Sequence, residues 1–385
     1  MKVIYTAAHA GAALQVPIGG GGAIARMLEQ EWRDTQPFEF EIVKPEEAAE
    51  DLVRYTQREY TQFCYRFKSQ TTNRILREDP AQCVVLSNDI SEGPDFELLA
   101  RHGYRVFTIW HVDVLAFVAR MYMRGWVRPE QAARWMRPLE GWLPGPLRLV
   151  FTNQHHCVRH SVGHFVMTEA MKQTILACYP ETDASKIHVI PWGETPIAGA
   201  GVRREAGLPV LLTLSRISPE KGLDQLLTML RRWPGRARLK LCGAPAYMGG
   251  AAHFTKLKRL AKQLRGVEVI FAGHLTGQDK ADAFASADVY IFPSVFESYG
   301  LTLMEALSHG LPVIAFDHDG ARAIVQPEFG VLVKTEQELH DALDDLLSNP
   351  EKCKRMGDAA RAYAAARPFA KAAAKLASLL SASAH

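Results

Sequence analysis

The feature that most constrains this chain is a rhythm. Apolar, often β-branched runs of three to five residues alternate with helical patterns almost from end to end. In the first half they fall at 3–7, 40–43, 83–87, 106–110, 165–168 and 188–191. In the second half they fall at 210–214, 239–241, 267–271, 289–292, 313–315 and 331–333. Continuous apolar strands are buried on both faces, the signature of a parallel sheet covered by helices. Strand–helix alternation then predicts an α/β, doubly wound fold. The rhythm pauses once, in the Pro/Gly/Ala-rich stretch 191–203 (PWGETPIAGAGVR), and restarts with a strand. We therefore expect two Rossmann-like domains facing a cleft, at 1–195 and 196–366. Residues 367–385 would form a C-terminal helix able to pack back on the first domain, with Pro368 breaking the Ala-rich tail.

At 385 residues, 48% hydrophobic and 23% charged, the chain is long and apolar enough to bury large cores without metal or disulfide staples, which excludes disordered and rod-like classes. Its 45 basic and 42 acidic residues leave a formal charge of +3, too mild to argue for a nucleic-acid partner. Six scattered cysteines without a CxxC pair read as reduced, buried thiols. No run reaches the ~20 apolar residues of a membrane span. The opening MKVIYTAAHAGAALQVPIGGGG reads as structure rather than a cleaved leader. The expectation is a cytoplasmic protein, at most peripheral to a membrane.

Neither half has a clean GxGxxG after its first strand, which disfavours a plain dinucleotide enzyme. The chemistry gathers in the second half. In LTLSRISPEKG, 212–222, a strand end is followed by Arg216 and Lys221, two cations where α/β sheets bind ligands. A guanidinium offers phosphate a planar fork and an ammonium a point charge. The same residues alone also suit a solvated surface loop. In PSVFESYGLTLMEALSHG, 293–310, Glu297 lies in a turn and Glu305 about one turn into a helix. Between them Ser298, Tyr299, Gly300, Leu301 and Thr302 would offer backbone N–H groups to an anion at a helix N-terminus.

Glu297-SYGLTLM-Glu305 within PSVFESYGLTLMEALSHGLPVIAF, together with SRISPEKG and VEVIFAGHLTGQDKADAFASADVYIFPS, resembles glycosyltransferase family four, the retaining GT-B enzymes. The resemblance covers most of 187–335. It implies a nucleotide-diphosphate-sugar donor held by the C-terminal half, without a cofactor or metal. Glu305 would hold the ribose, Arg216 and Lys221 would neutralise the diphosphate, and Glu297 with the amides of Ser298–Gly300 would meet the sugar. Asp317 and Asp319 would belong to a loop beside the donor and not to a metal site. One departure stands out: where the family often has a Glu after the strand at 313–316, this chain has Ala323.

The first half matches less closely. Four glycines, Gly19 to Gly22, precede a helical pattern, and the resemblance brings Gly21 and Gly22 to the donor phosphates. A plain tight turn is the alternative. His111, in TIWHVDV, stands at a strand end where the family has a His beside the reacting sugar, with Asp113 in the same loop. His155, His156, His160 and His164 carry no HExxH or Cys/His pattern and read as solvated or acceptor-facing rather than as a zinc site. Between 120 and 148, Arg120, Arg124, Arg128, Arg134 and Arg137 interleave with Tyr122, Trp126, Trp135 and Trp142. That pattern suits a sugar ring, a phosphorylated acceptor, an anionic membrane or an ordinary helical hairpin.

The expected function is transfer of a sugar from the nucleotide donor to a hydroxyl of a small-molecule, glycan or lipid-linked acceptor, with retention at the anomeric carbon. The alternatives are a nucleotide-sugar epimerase of related fold and a non-catalytic nucleotide-sugar binding module.

Overall fold

The computed structural model describes residues 1–10, 19–46, 55–121, 123, 125–194, 207–246 and 249–383. All twelve expected strands are present, as β1 (Lys2–Thr6), β2 (Glu39–Val43), β3 (Cys83–Ser87), β4 (Arg105–Ile109), β5 (Gly163–Val166), β6 (Ile187–Val189), β7 (Val210–Leu214), β8 (Ala237–Cys242), β9 (Val267–Gly273), β10 (Val289–Phe292), β11 (Val313–Phe316) and β12 (Gly330–Val333). They form two six-stranded sheets, ordered β2-β1-β3-β4-β5-β6 and β12-β11-β10-β7-β8-β9. Every strand pair is parallel, as in β1 on β3, where Tyr5 lies opposite Leu86, and β10 on β11, where Ile291 lies opposite Ile314. Of the expected linker, 191–203, residues 195–203 lie outside the described residues.

The described residues form two compact units. The first holds the N-terminal sheet and the helix Phe369–Ala382 from Ala370 onward; the second holds the C-terminal sheet, from Trp192 to Phe369. The last helix is tied to the first unit by Lys375 Nζ, which donates to Val189 O at 3.3 Å. The preceding helix, Pro350–Ala365, stops short of Pro368, which has no N–H to continue it.

Strands β3, β10 and β11 are buried along their whole length, as the continuous apolar runs require. Each core packs helix faces onto such strands: Ile4, Val85, Phe96, Val106 and Ile175 in the first unit, and Leu211, Leu226, Leu239, Ile291 and Leu343 in the second. Each fully buried aliphatic or aromatic side chain contributes roughly 1.5–3 kcal/mol. Helix starts follow local chemistry. Thr56 with Glu59, and Thr335 with Glu338, close reciprocal capping boxes.

Strand order fixes where a ligand can sit. In the second sheet the chain runs outward from β7 through β8 to β9, then returns to β10 on the other side of β7. The loops after β7 and β10 therefore leave the carboxyl edge in opposite directions, opening the crevice where doubly wound sheets bind ligands. In the first sheet the reversal falls between β1 and β3.

Candidate functional site

The loop after β7 carries Arg216 and Lys221, and the loop after β10 carries Glu297. The two loops are stitched together. Val295 N donates to Glu220 O at 3.0 Å. Gly222, at φ 61, lies so close that a Cβ there would come within 2.0 Å of Pro293 O. Only glycine meets both demands. This contact delivers Lys221, which is buried, to Glu297, whose Oε2 accepts from the ammonium. Arg216 Nη2 lies 3.5 Å from Glu220 Oε1, and Ser218 Oγ donates to the same oxygen. Burial pushes the Glu220 carboxyl up, but Arg216, Lys221 and Ser218 outweigh it and hold the group below its ordinary range.

Gly300, at φ 108, is the N-cap of the helix Leu301–Ser308. Leu303 N and Met304 N both donate to Gly300 O, at 3.0 and 3.3 Å. The amides of Leu301 and Thr302 precede those bonds and are the helix's open donors. Leu303, Met304, Ala306 and Leu307 are buried, which sets the register of the helix. One oxygen of Glu305, Oε1, accepts from Lys280 Nζ. The other, Oε2, is buried and has no partner among the described residues; the same holds for Ser298 Oγ and His318 Nε2. Tyr299 turns its phenol inward and donates to Trp192 O. Its side chain is scaffold, and only its backbone faces the expected role.

His318, Lys280 and Glu220 are neighbours of these groups that the sequence did not single out. His318 follows β11 and accepts from Ala321 N at Nδ1, 3.4 Å away. Burial lowers its pKa to about 4, so the ring is neutral and Nε2 bears the hydrogen. Gly320 brings the next helix, Asp319–Arg322, against Glu297: a Cβ there would sit 2.3 Å from Glu297 O. Asp317 and Asp319 are both paired with Arg322.

The first unit has its own polar cluster beside the reversal between β1 and β3. Here the glycine expectation needs correcting. Gly20, Gly21 and Gly22 form the first turn of the helix Gly20–Thr35, and only Gly19, at φ 86, lies before it. Packing overrides their weak helix propensity: Gly22 is buried, and a Cβ on Gly21 would lie 3.2 Å from His111 Cδ2. Asn88 joins the two. Its Nδ2 donates to Gly21 O at 3.3 Å and to Asp89 Oδ1 at 3.3 Å. Its Oδ1 accepts from Tyr5 OH at 2.6 Å and lies 3.0 Å from His111 Nε2. This amide orientation puts the His111 hydrogen on Nε2 and leaves Nδ1 as an acceptor. Burial, then His9, lowers the His111 pKa to about 3, so the ring is neutral. Asp89 accepts from Ala8 N at 2.8 Å, and burial and Glu92 raise its pKa to about 6. Asp113 is buried and caps the following helix, accepting from Ala116 N at 3.1 Å.

The histidine series divides. His164 lies in β5, where it accepts from Trp110 Nε1 at 3.2 Å. The other three lie on the helix Gly145–His160. The aromatic-basic segment forms the short helices Val114–Met121 and Pro129–Met136 and the 3-10 turn Arg137–Trp142; Tyr122 and Arg124 lie outside the described residues. Trp126 and Trp142 are 87% and 88% exposed.

Residues 201–363 match the family model Glycosyl transferases group 1. A D-inositol 3-phosphate glycosyltransferase of Nocardia farcinica is 32% identical over 200 residues, 48% of this chain and 44% of that protein. The chain thus covers less than half the length of that curated relative. Among solved structures, a sucrose-phosphate synthase from Thermosynechococcus elongatus superposes with a TM-score of 0.71 at 18% identity, over 98% of each chain. Anabaena HepE in complex with UDP-glucose gives 0.71 at 16% identity, over 99% of this chain and 100% of that one. No epimerase is among these three. The chain has the GT-B fold, and its segment 201–363 matches the family model of the group 1 glycosyl transferases.

Proposed function

We propose that this protein is a retaining glycosyltransferase that moves a sugar from a nucleotide-diphosphate sugar to an acceptor hydroxyl, without a resident metal or cofactor. The observation that carries the reading is the convergence of Lys221, Glu297, His318 and the N-terminus of Leu301–Ser308 at the strand-order reversal of the second sheet. UDP-glucose in HepE, a protein of the same fold, supports the donor class.

In this reading, the partnerless Oε2 of Glu305 accepts from a ribose hydroxyl while Lys280 holds the other oxygen in place. The diphosphate takes the amides of Leu301 and Thr302 and the charges of Arg216 and Lys221. As the glycosidic bond stretches, negative charge grows on the diphosphate. Cations and amides already in place stabilise it without reorganising, which supplies electrophilic assistance in place of a metal. Glu297, with the amides of Ser298–Gly300, orients the sugar. In the first unit, His111 offers a neutral ring with Nδ1 free to accept from a sugar hydroxyl, beside Gly21 and Gly22. The chain is proposed to work in the cytoplasm and to have no nucleic-acid partner. The acceptor is a small molecule, a glycan or a lipid-linked sugar. The exposed Trp126, Trp135 and Trp142, interleaved with Arg128 and Arg134, support peripheral contact with a membrane carrying such an acceptor.

The test is a panel of nucleotide-diphosphate sugars incubated with the protein and candidate acceptors in EDTA. Release of nucleoside diphosphate, with an NMR coupling constant showing the donor's anomeric configuration in the product, supports the reading. Inversion, an absolute need for a divalent cation, or C4-epimerised donor as the only product would overturn it.

A further inference from the structure

Among the described residues, Glu97, His156 and His160 are the one group of three whose metal-ligating atoms converge, all within 4.8 Å of one another. Two elements build the cluster. His156 and His160 are four apart near the end of the helix Gly145–His160, so they share a face, with ring centroids 5.7 Å apart. Glu97 stands in the first turn of the helix Phe96–Arg101, which Asp95 caps by accepting from Leu98 N at 3.1 Å. The carboxylate is already oriented. Arg101 Nη2 donates to Oε1, and Oε2 lies 3.4 Å from His156 Nδ1. A tetrahedral ion with bonds of ~2.0–2.1 Å places its ligand atoms ~3.3 Å apart, so this pair already has the needed separation. The His160 ligand atom completes the set, within 4.8 Å of both.

We propose that Glu97, His156 and His160 form a binding site for a borderline transition-metal cation, Zn2+ foremost, that ties the helices Phe96–Arg101 and Gly145–His160 together. The donor set selects the metal class. Two imidazoles and one carboxylate suit Zn2+ and its neighbours, whereas Mg2+ and Ca2+ take oxygen ligands. Arg101 plays the outer-sphere part, fixing the carboxylate that ligates. Three protein ligands leave a fourth position for water. The site is separate from the proposed chemistry. His160 ends its helix three residues before β5 begins, which places it by the amino edge of the first sheet. His111 follows β4 at the carboxyl edge. The site is therefore structural or regulatory and does not rest on the transferase reading. The sequence had set these histidines aside because the third ligand comes from a helix about sixty positions away, and spacing cannot show that.

The experiment is calorimetric titration of tag-free, chelator-treated protein with ZnCl2 at pH 7, repeated with MgCl2. The expected result is one Zn2+ per chain, no Mg2+ binding, and at least a tenfold loss of Zn2+ affinity in each of Glu97→Gln, His156→Gln and His160→Gln. His102→Gln, a control, should bind as wild type. All variants should melt at the wild-type temperature in EDTA. Saturating Zn2+ should raise the wild-type midpoint, since a ligand bound only by the folded state stabilises it, and Glu97→Gln should lose that rise. Wild-type affinity in Glu97→Gln would reduce the site to an ordinary helical histidine pair and overturn the proposal. Absence of a one-to-one site, or an equal loss in His102→Gln, would also overturn it.

Discussion

The ammonium of Lys221 is bound by the carboxylate of Glu297, 76 positions further along the chain. Each residue belongs to a different loop, and the strand-order reversal between β7 and β10 brings those loops side by side. The pairing holds a cation in the crevice with little freedom to swing away. A diphosphate entering the crevice would meet a charge already in position and compete for it with Glu297.

If Lys221 and Arg216 stabilise a departing diphosphate, their loss should fall on turnover more than on binding, because the charge they meet is larger in the transition state. Lys221→Ala and Arg216→Ala should each lower turnover at saturating donor and acceptor by ~100-fold or more. Lys221→Arg should recover only part, since a planar fork does not replace a compact ammonium. Near-wild-type turnover in both alanine variants would return Arg216 and Lys221 to the status of a charged surface loop.

Glu305→Ala should weaken nucleoside-diphosphate binding by roughly 1.5–3 kcal/mol, the worth of a charge-assisted hydrogen bond, and leave the melting temperature nearly unchanged. Lys280→Ala should weaken it less, because Lys280 only holds the Glu305 oxygen that does not face the ribose. Calorimetry with the nucleoside diphosphate alone separates the two. Equal losses would mean that Lys280 touches the ligand itself.

Much of the architecture was legible because its causes are local. A strand buried on both faces must be apolar throughout, so twelve such runs marked twelve strands, with ends displaced by a residue or two where polar residues such as Arg105 and Lys2 extend the ladder. Glu297 and Glu305 stood out because a turn and a helix start fix their spacing. The four glycines misled because propensity is local while their reason is not: Gly21 is small so that His111 can approach it. His318, Asn88 and Lys280 were invisible for the same reason. Each acts through a partner from another element, and nothing in its own neighbourhood announces that partner.

The two glycines that allow close approach should respond differently to a methyl group. Gly320→Ala would drive a Cβ to within 2.3 Å of Glu297 O. Backbone cannot yield as a side chain does, so the loop carrying Glu297 must move. We expect donor affinity to fall at least tenfold. Gly21→Ala presses on the His111 ring at 3.2 Å, which a few tenths of an ångström relieve, so turnover should drop with donor affinity kept. Gly145→Ala, with no heavy atom near its Cβ, is the control. Retained donor affinity in Gly320→Ala would show that the Glu297 backbone has no part in the site.

The last expectation concerns pH. Burial depresses His111 to about 3 and His318 to about 4, against 6.5 for an unhindered imidazole. The unfolded chain therefore binds more protons at these positions between about 6.5 and the folded values. Stability then rises with pH across that window and levels off above it. Their contribution is complete above pH 6.5 and is lost as pH falls toward 4 and then 3. Melting temperatures followed from pH 7.5 to 4 should decline, and His318→Asn, an uncharged replacement, should make the decline shallower. Turnover should also show no protonation step from His111 or His318 between pH 5 and 8, because both rings are neutral throughout. A kinetic pKa near 6.5 that vanishes in His111→Asn would show a solvated, titrating His111 and remove the neutral-acceptor role proposed for its Nδ1.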